Sequence, residues 1–264
     1  MRWTVVIPVF NEAGFLPRTL QSLAAQDTPF RLVVVDNGST DGCIEAAADL
    51  ASRSGLDAAF LNEPRPGQVH ALRRGLAEVR TELTAICDAD TWYPPHYLSL
   101  AARLFDDAGP DCVAVAAYQH REGAGSVRTW LSRLHRLGAA RLMPRQNHTS
   151  GAAQAFRTAE LRAAGGYDPA IWPYVLKDHE LMHRMLQRGS QRYHRDLWCV
   201  PSGRRADRRA VRWTLPERLA YHLTPFELKH RFFHDFLARR FEARGQRDIV
   251  LRRRTWEAAA AARP

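Results

Sequence analysis

Two hydrophobic periods alternate through the first half of this chain, and that alternation limits it to a small set of folds. Trp3–Val9 (WTVVIPV) and Arg31–Asp36 (RLVVVD) are nearly continuous apolar runs rich in β-branched residues, as in strands buried on both faces. Between them Leu16, Leu20 and Leu23 recur at helical spacing. Cys43–Ser52 is an alanine-rich helical stretch, Leu56–Leu61 a weaker strand, Gln68–Arg80 a helix and Leu83–Cys87 (LTAIC) a further strand. Pro95–Phe105 predicts one more helix and Val113–Ala117 one more strand. Strands alternating with helices predict a parallel α/β sheet whose ligand crevice lies at the carboxyl ends of the strands. The polar clusters Pro8–Glu12, Asp36–Asp41 and Asp88–Asp90 all fall at such ends, so three loops should converge on one edge.

The second half is less regular. Gly125–Leu142 is a basic amphipathic helical stretch, Thr149–Phe156 is strand-like, and Lys177–Arg188 predicts a helix. Thr214-Leu215-Pro216-Glu217 and Thr224-Pro225-Phe226-Glu227 have capping-box spacing and predict two helix starts. In the second of these helices Phe226, Phe233, Phe236, Leu237 and Phe241 share a broad apolar face flanked by Lys229, Arg231, Arg239 and Arg240. Such a face must pack on the rest of the chain or lie in a membrane interface. The net charge of +10 is concentrated here: from Arg204 onward 16 Lys and Arg stand against 7 Asp and Glu. That imbalance suits either an anionic partner, such as a membrane surface, or a solvated basic surface.

With 264 residues the chain can bury a full core. No stretch approaches the roughly 18 consecutive apolar residues of a membrane span, and the run at Trp3–Phe10 is not a signal peptide. Cys43, Cys87, Cys112 and Cys199 form no CxxC pair, and read as reduced, buried thiols of a cytosolic protein. Asp88-Ala89-Asp90 is a weak signal alone, equally a solvated loop, but its place directly after the strand Leu83–Cys87 favours a metal site. Two carboxylates separated by one small residue at the end of a buried strand form a hard oxygen cage for Mg²⁺ or Mn²⁺. Such an ion can bridge two phosphates and neutralise a departing nucleoside diphosphate.

Six segments, in order and spacing, resemble the inverting family 2 glycosyltransferases of the GT-A fold. They are Val6–Glu12 (VIPVFNE), Val35–Asp41 (VDNGSTD), Gly67–Gly75 (GQVHALRRG), Asp88-Ala89-Asp90, Gly151–Phe156 with Gly165-Gly166-Tyr167-Asp168, and Lys177-Asp178-His179-Glu180-Leu181. The resemblance runs from about Trp3 to about Arg205. It implies a GT-A (Rossmann-like) mixed, mostly parallel sheet flanked by helices over residues 1–205, with a nucleotide-binding half over about 1–118 and an acceptor half over about 119–205. A basic helical C-terminal extension would occupy 206–264.

The resemblance also assigns roles. Pro8, Phe10, Glu12 and Asp36 would hold the nucleotide base, Asp36 by accepting the N3–H of uracil; the alternative for Asp36 is a cap on the following helix. Gly67–Gly75 would approach the pyrophosphate, with Arg73 either paired to phosphate or solvated. Asp88 and Asp90 would hold the metal against the diphosphate, and Arg204, beside Arg205, would be a further pyrophosphate partner. Asp178 matches the family's base, although Lys177 replaces the usual Glu before it. Glu180 would orient the acceptor or support the helix, and Trp172 would stack on a sugar or belong to the core.

The implied activity is metal-dependent transfer of a sugar from a nucleotide sugar, UDP-sugars being the commoner donors, to a hydroxyl acceptor with inversion. Envelope glycolipid or polysaccharide synthesis is the expected setting, in the cytoplasm or peripherally on the inner face of the membrane. A retaining relative, a sugar nucleotidyltransferase and a catalytically silent carbohydrate- or lipid-binding module are the alternatives. The nucleotidyltransferase reading lacks a glycine-rich, Arg-bearing loop at Pro8–Gly14, and the silent module is at odds with intact Asp88, Asp90 and Asp178. No nucleic-acid-binding fold or base-stacking motif is recognisable.

Overall fold

A computed structural model describes residues 1–120, 126–203, 211 and 213–252. The alternating pattern folds as expected into β1 (Trp3–Val9), α1 (Leu16–Ala24), β2 (Phe30–Asp36), α2 (Cys43–Arg53), β3 (Asp57–Asn62), α3 (Gln68–Glu78) and β4 (Leu83–Ile86). These four strands lie parallel in the order β3-β2-β1-β4. Their apolar runs are continuous because both faces are covered: Val5, Ile7 and Leu32 enter one core, Val6, Val33 and Val35 the other. Gly75 sits where α3 crosses the sheet, and a Cβ there would lie 2.5 Å from Val6 and 3.0 Å from Val35. Only glycine allows so close an approach. Register fixes where the loops meet: Val9 pairs with Asp36, and Val6 with Ile86. The chain therefore leaves β1, β2 and β4 on one edge.

The sheet continues with β5 (Thr91–Trp92), α4 (Tyr97–Ala108), β6 (Cys112–Gln119), α5 (Ser126–Leu142), β7 (Gln154–Arg157), α6 (Thr158–Ala163), α7 (Lys177–Leu186), β8 (Ser190–Pro201) and α8 (Leu215–Leu223). Strand β7 is antiparallel to β4 and β6, β8 is parallel to β6, and β5 closes the edge antiparallel to β8. The sheet is thus mixed and mostly parallel, in the order β3-β2-β1-β4-β7-β6-β8-β5. Thr149–Phe156 is not one strand: a 3-10 turn at Gly151–Ala153 precedes β7. Strand β8 has no sequence-based counterpart. Its residues SQRYHRDLWCVP bury chiefly Gln191, Leu197 and Cys199, leaving no apolar period to read. All four cysteines are free and buried.

In the C-terminal region the capping box at Thr214 forms, with the Thr214 N–H donating to Glu217 Oε2 at 2.9 Å. The second helix start, at Thr224, does not. Thr224 instead closes α8, its hydroxyl donating to Ala220 O at 2.6 Å. Beyond it the chain runs through a 3-10 turn (Phe226–Leu228), one helical turn (Lys229–Arg231), a π turn (Phe232–Leu237) and a last helical turn (Ala238–Ala243). Phe233, Leu237 and Phe241 are fully buried against Trp172 and Val175, so the aromatic face is a core and not a membrane surface. The C-terminal region therefore shares its core with the segment before α7. The expected boundary near 205 lies outside the described residues. Among the described residues no helix is long and apolar enough to cross a membrane.

Candidate active site

At the end of β2, Asp36 accepts the Ser39 N–H at 2.9 Å, which shapes the turn that follows. Pro8 is buried within β1, and Phe10, Glu12 and Asp36 are partly exposed at the same edge. Asn11 crosses to the β2 loop, accepting the Thr40 N–H at 2.7 Å, while its own N–H donates to Ser39 Oγ at 3.0 Å. It does so at φ 54, a left-handed backbone that a non-glycine residue rarely adopts. Asn37, which the sequence reading left without a role, organises the loop after β3. Its amide donates to the carbonyls of Glu63 and Arg65, both at 2.8 Å, and its Oδ1 accepts the Gly67 N–H at 2.9 Å. The second and third loops thereby become one wall.

The Asp88-Ala89-Asp90 turn is fixed from several sides. The Asp88 N–H donates to the Tyr93 hydroxyl at 3.0 Å, which donates onward to Ala152 O at 2.8 Å. Thr19 donates to Ala89 O at 2.9 Å. Asp88 Oδ1 takes a bond from Gln68 at 3.3 Å, which joins the turn to the start of α3. Asp90, 6% exposed, accepts the Ser202 hydroxyl at 2.7 Å, and the Ser202 N–H donates to Asp90 O at 2.8 Å. The β5–β8 pairing places Ser202 there; Arg204 and Arg205, two residues and more beyond it, lie outside the described residues. Among the described residues no three His, Cys, Asp or Glu side chains group to hold a metal. Two hard carboxylates without a third protein ligand still fit Mg²⁺ or Mn²⁺, ions that commonly complete their shells with water and substrate phosphates.

Asp178 stands in the first turn of α7, partly exposed, two residues after Leu176 at φ 61. Backbone strain of this kind, at Leu176 and at Asn11, tends to collect at sites where function fixes the chain. Gly151 leaves room beside Asp178: a Cβ there would lie 3.4 Å from the Asp178 Cβ. The buried Tyr167 hydroxyl has no hydrogen-bond partner among the described residues. Its burial raises its pKa, and the charges of Asp178 and Asp88 raise it further. Gly151 borders Asp178, and the next residue, Ala152, accepts from the same Tyr93 hydroxyl that holds the Asp88 N–H, which puts the α7 turn and the β4 turn in one neighbourhood.

Three expected site residues are placed elsewhere. Trp172 is 1% exposed, packs edge-on against Phe233 and Tyr174, and donates its indole N–H to Val175 O at 2.8 Å. It has no face for a sugar, and its core alternative is the one observed. Glu180 is fully buried and accepts from Arg184 Nε at 2.9 Å and Nη2 at 2.9 Å, with His234 Nε2 at 3.3 Å. Burial pushes its carboxyl up, but the nearby His234 and the Arg184 hydrogen bonds outweigh this and hold it below the ordinary range. Glu180 therefore supports the helix and meets no acceptor. Arg184 in turn donates to Gly166 O at 2.8 Å, tying α7 to the Gly165-Gly166 turn. Arg73 is half-exposed and paired with Asp168 at 3.2 Å. Lys177, beside Asp178, is 8% exposed and bonds Asp248 at 2.6 Å.

Comparison with known proteins supplies the context for this arrangement. Succinoglycan biosynthesis protein ExoA of Rhizobium meliloti (strain 1021) is 30% identical over 207 residues, 70% of this chain and 58% of that protein. The undecaprenyl-phosphate 4-deoxy-4-formamido-L-arabinose transferase of Pseudomonas fluorescens (strain SBW25) is 30% identical over 144 residues, 52% of this chain and 41% of the relative. The chain thus spans only about half the length of these curated relatives. Among solved structures, mannosyltransferase PcManGT of Pyrobaculum calidifontis, in complex with GDP-Man and Mn²⁺, superposes with a TM-score of 0.65 at 22% identity, covering 100% of this chain and 76% of that one. S. aureus TarS 1-349 in complex with UDP-GlcNAc gives 0.61 at 18%, covering 92% and 73%. At such identities the structures show a shared fold, that of the GT-A glycosyltransferases. The family model described as "Glycosyl transferase family 2" matches residues 4–163, well over half of the sequence, and the chain belongs to that family.

Proposed function

We propose that this chain transfers a sugar from a UDP-sugar to an acceptor hydroxyl, with inversion at the anomeric carbon. The observation that carries this reading is the convergence of Asp36, Asp88 and Asp178 from three separate elements onto one sheet edge. Phe10 and Asp36 hold the base, and Asp36 retains a carboxylate oxygen able to accept a uracil N3–H. Asp88 and Asp90 would hold Mn²⁺ or Mg²⁺, which when bound supplies charge neutralisation to the leaving diphosphate. Asp178 takes the proton of the acceptor hydroxyl as that oxygen attacks the anomeric carbon. The new glycosidic C–O bond forms as the bond to the β-phosphate oxygen breaks, and the nucleoside diphosphate departs with the electron pair. With a base on one face and the leaving group on the other, the carbon inverts.

A lipid-linked acceptor and peripheral attachment to an anionic, cytoplasmic membrane face complete the reading. The name of the undecaprenyl-phosphate relative supports the first. The second is supported by α8, which exposes Leu215, Leu219 and Leu223 to 68%, 53% and 79% at one-turn spacing in a strongly basic part of the chain. The four buried thiols are compatible with a reducing compartment. The direct test is hydrolysis of UDP- and GDP-sugars with and without Mn²⁺. Metal-dependent release of UDP is expected. No turnover and no binding of any nucleotide sugar would sink the proposal.

A further inference from the structure

The segment Asp248–Arg252 forms a 3-10 turn that returns to the donor edge from more than 200 positions away in sequence. The Arg252 guanidinium lies over the Phe10 ring at 3.8 Å from its centroid and donates to Asn37 O. A Cβ on Gly38 would lie 3.6 Å from its Nη2. Phe10, Asn37 and Gly38 are the residues around Asp36, so a late arginine sits against the place where the base is held. Its Nε–H is buried and donates to nothing among the described residues. A buried donor on a cation is costly to leave unmade. An acceptor oxygen of a bound nucleotide would satisfy it.

Asp248 anchors the segment that carries this arginine. It is 3% exposed, accepts the Val69 N–H at the start of α3 at 2.8 Å, and pairs with Lys177 at 2.6 Å. Gly67, at φ +128, is the neighbour that permits this: a Cβ there would lie 3.2 Å from Asp248 Oδ2. The buried pair therefore ties the returning segment both to the α3 loop and to the turn that carries Asp178.

We propose that Asp248–Arg252 is a wall of the donor site, that Arg252 is a nucleotide-binding residue whose guanidinium, laid on Phe10, donates to an oxygen of the bound nucleotide, and that Lys177 is a positioning residue acting through Asp248. This rests on the donor reading of Phe10 and Asp36 given above. The test is calorimetric titration of UDP and of GDP, with Mn²⁺, into the full chain. Arg252→Ala should weaken UDP binding about 10- to 100-fold, as loss of a hydrogen bond from a charged donor does. Arg252→Lys, which keeps the charge without the fork, should recover only part of that. Arg239→Ala removes an equal charge from an exposed position and should leave UDP affinity unchanged. Lys177→Met should weaken UDP binding in the parent chain and add little once Arg252 is alanine. UDP affinity that is equal or tighter in Arg252→Ala overturns the proposal; tighter binding would mean that the guanidinium occupies the place of the base. Full additivity of the two substitutions overturns the role of Lys177. If the parent chain binds neither UDP nor GDP, the donor reading itself fails, an outcome distinct from the others.

Discussion

The donor half and the region built around Trp172 solve different problems with different interiors. Around β1, β2 and β4 the core is mostly aliphatic on both faces of the sheet, with Trp3 against Phe105 at one end, and the acidic site residues stand in loops at the strand ends. Around Trp172 the core is aromatic, and charges are built into it: Lys177 with Asp248, Glu180 with Arg184, and Glu217 with Arg244 at 2.6 Å. Lys229, 2% exposed, lies over the Tyr221 ring at 3.7 Å, and burial depresses its pKa to about 8. Losing one member of a buried ion pair leaves an uncompensated charge, whereas losing a loop carboxylate exposed to water does not. A partly exposed acid such as Asp88, removed from the donor half, should therefore cost function and little stability. One removed from the interior around Trp172 should cost the fold.

The largest effect tests the chemistry at the boundary between the two regions. Asp178→Asn preserves shape and removes the proton acceptor, so transfer should fall about 10²–10⁴-fold. UDP affinity should stay as it is, because the base meets the acceptor. Near-normal turnover would give the proton to another group; Glu180, buried and held by Arg184, is poorly placed to take it.

Glu180→Ala sets the two interiors directly against each other. Arg184 and His234 would lose their shared carboxylate, and unfolding in urea should show a loss of about 3–5 kcal/mol. Asp88→Ala, at a partly exposed loop position, should change the urea midpoint little while abolishing Mn²⁺-dependent donor binding. Equal losses of stability in the two variants would erase the distinction drawn here.

This distinction also explains what could be read in advance. The sheet edge was legible because each polar cluster follows its own apolar run directly, so that Asp36 and Asp88 are placed by local pattern and register. The Thr214 capping box was legible for the same reason, being a matter of three residues. Lys177 was not: read alone it is a departure from a family pattern, and its partner Asp248 lies 71 positions on. Trp172 and Glu180 carry side chains as suited to a sugar site as to a core, and only the packing of the chain beyond Phe226 decides between them. Thr224 misled because a threonine three residues before a glutamate suits a helix start, while here its hydroxyl closes the helix before it.

Acid should separate the regions a little less sharply. His183, 5% exposed and packed against Phe226 and Phe233, is pushed down to about 4 by burial. The unfolded chain, with an ordinary histidine near 6.5, binds the extra proton first. Stability from this residue is therefore complete above about pH 6.5 and is lost as the pH falls toward 4, on the order of 3 kcal/mol in all. Glu180 adds to the same trend lower down, since its depressed carboxyl stabilises above the ordinary carboxylate range and ceases to as it protonates. Urea midpoints at pH 7 and pH 5 should diverge in the parent chain and converge in His183→Gln. An unchanged pH slope in that variant would remove His183 from the account.

The smallest effect on stability belongs to the outward face of the same region. Phe232, Phe233 and Phe241 turn inward, and among the apolar side chains of this region that water meets are the leucines of α8, with Leu228 and Ile249. Leu219 is 53% exposed and Leu223 79%, so replacing both with Gln should move stability by no more than about 0.5 kcal/mol per site. An exposed leucine contributes little to folding, yet on a membrane its side chain leaves water, a transfer worth about 1.5–3 kcal/mol when complete. Cations near an anionic surface add about 1 kcal/mol each, and salt screens that share. Flotation with anionic vesicles should therefore show binding at low salt that weakens at high salt, and the doubly substituted chain should float less at either. Binding that ignores both salt and the leucines would place the attachment elsewhere. No binding at all would leave α8 as a surface for something other than lipid, and the acceptor as a molecule met in solution.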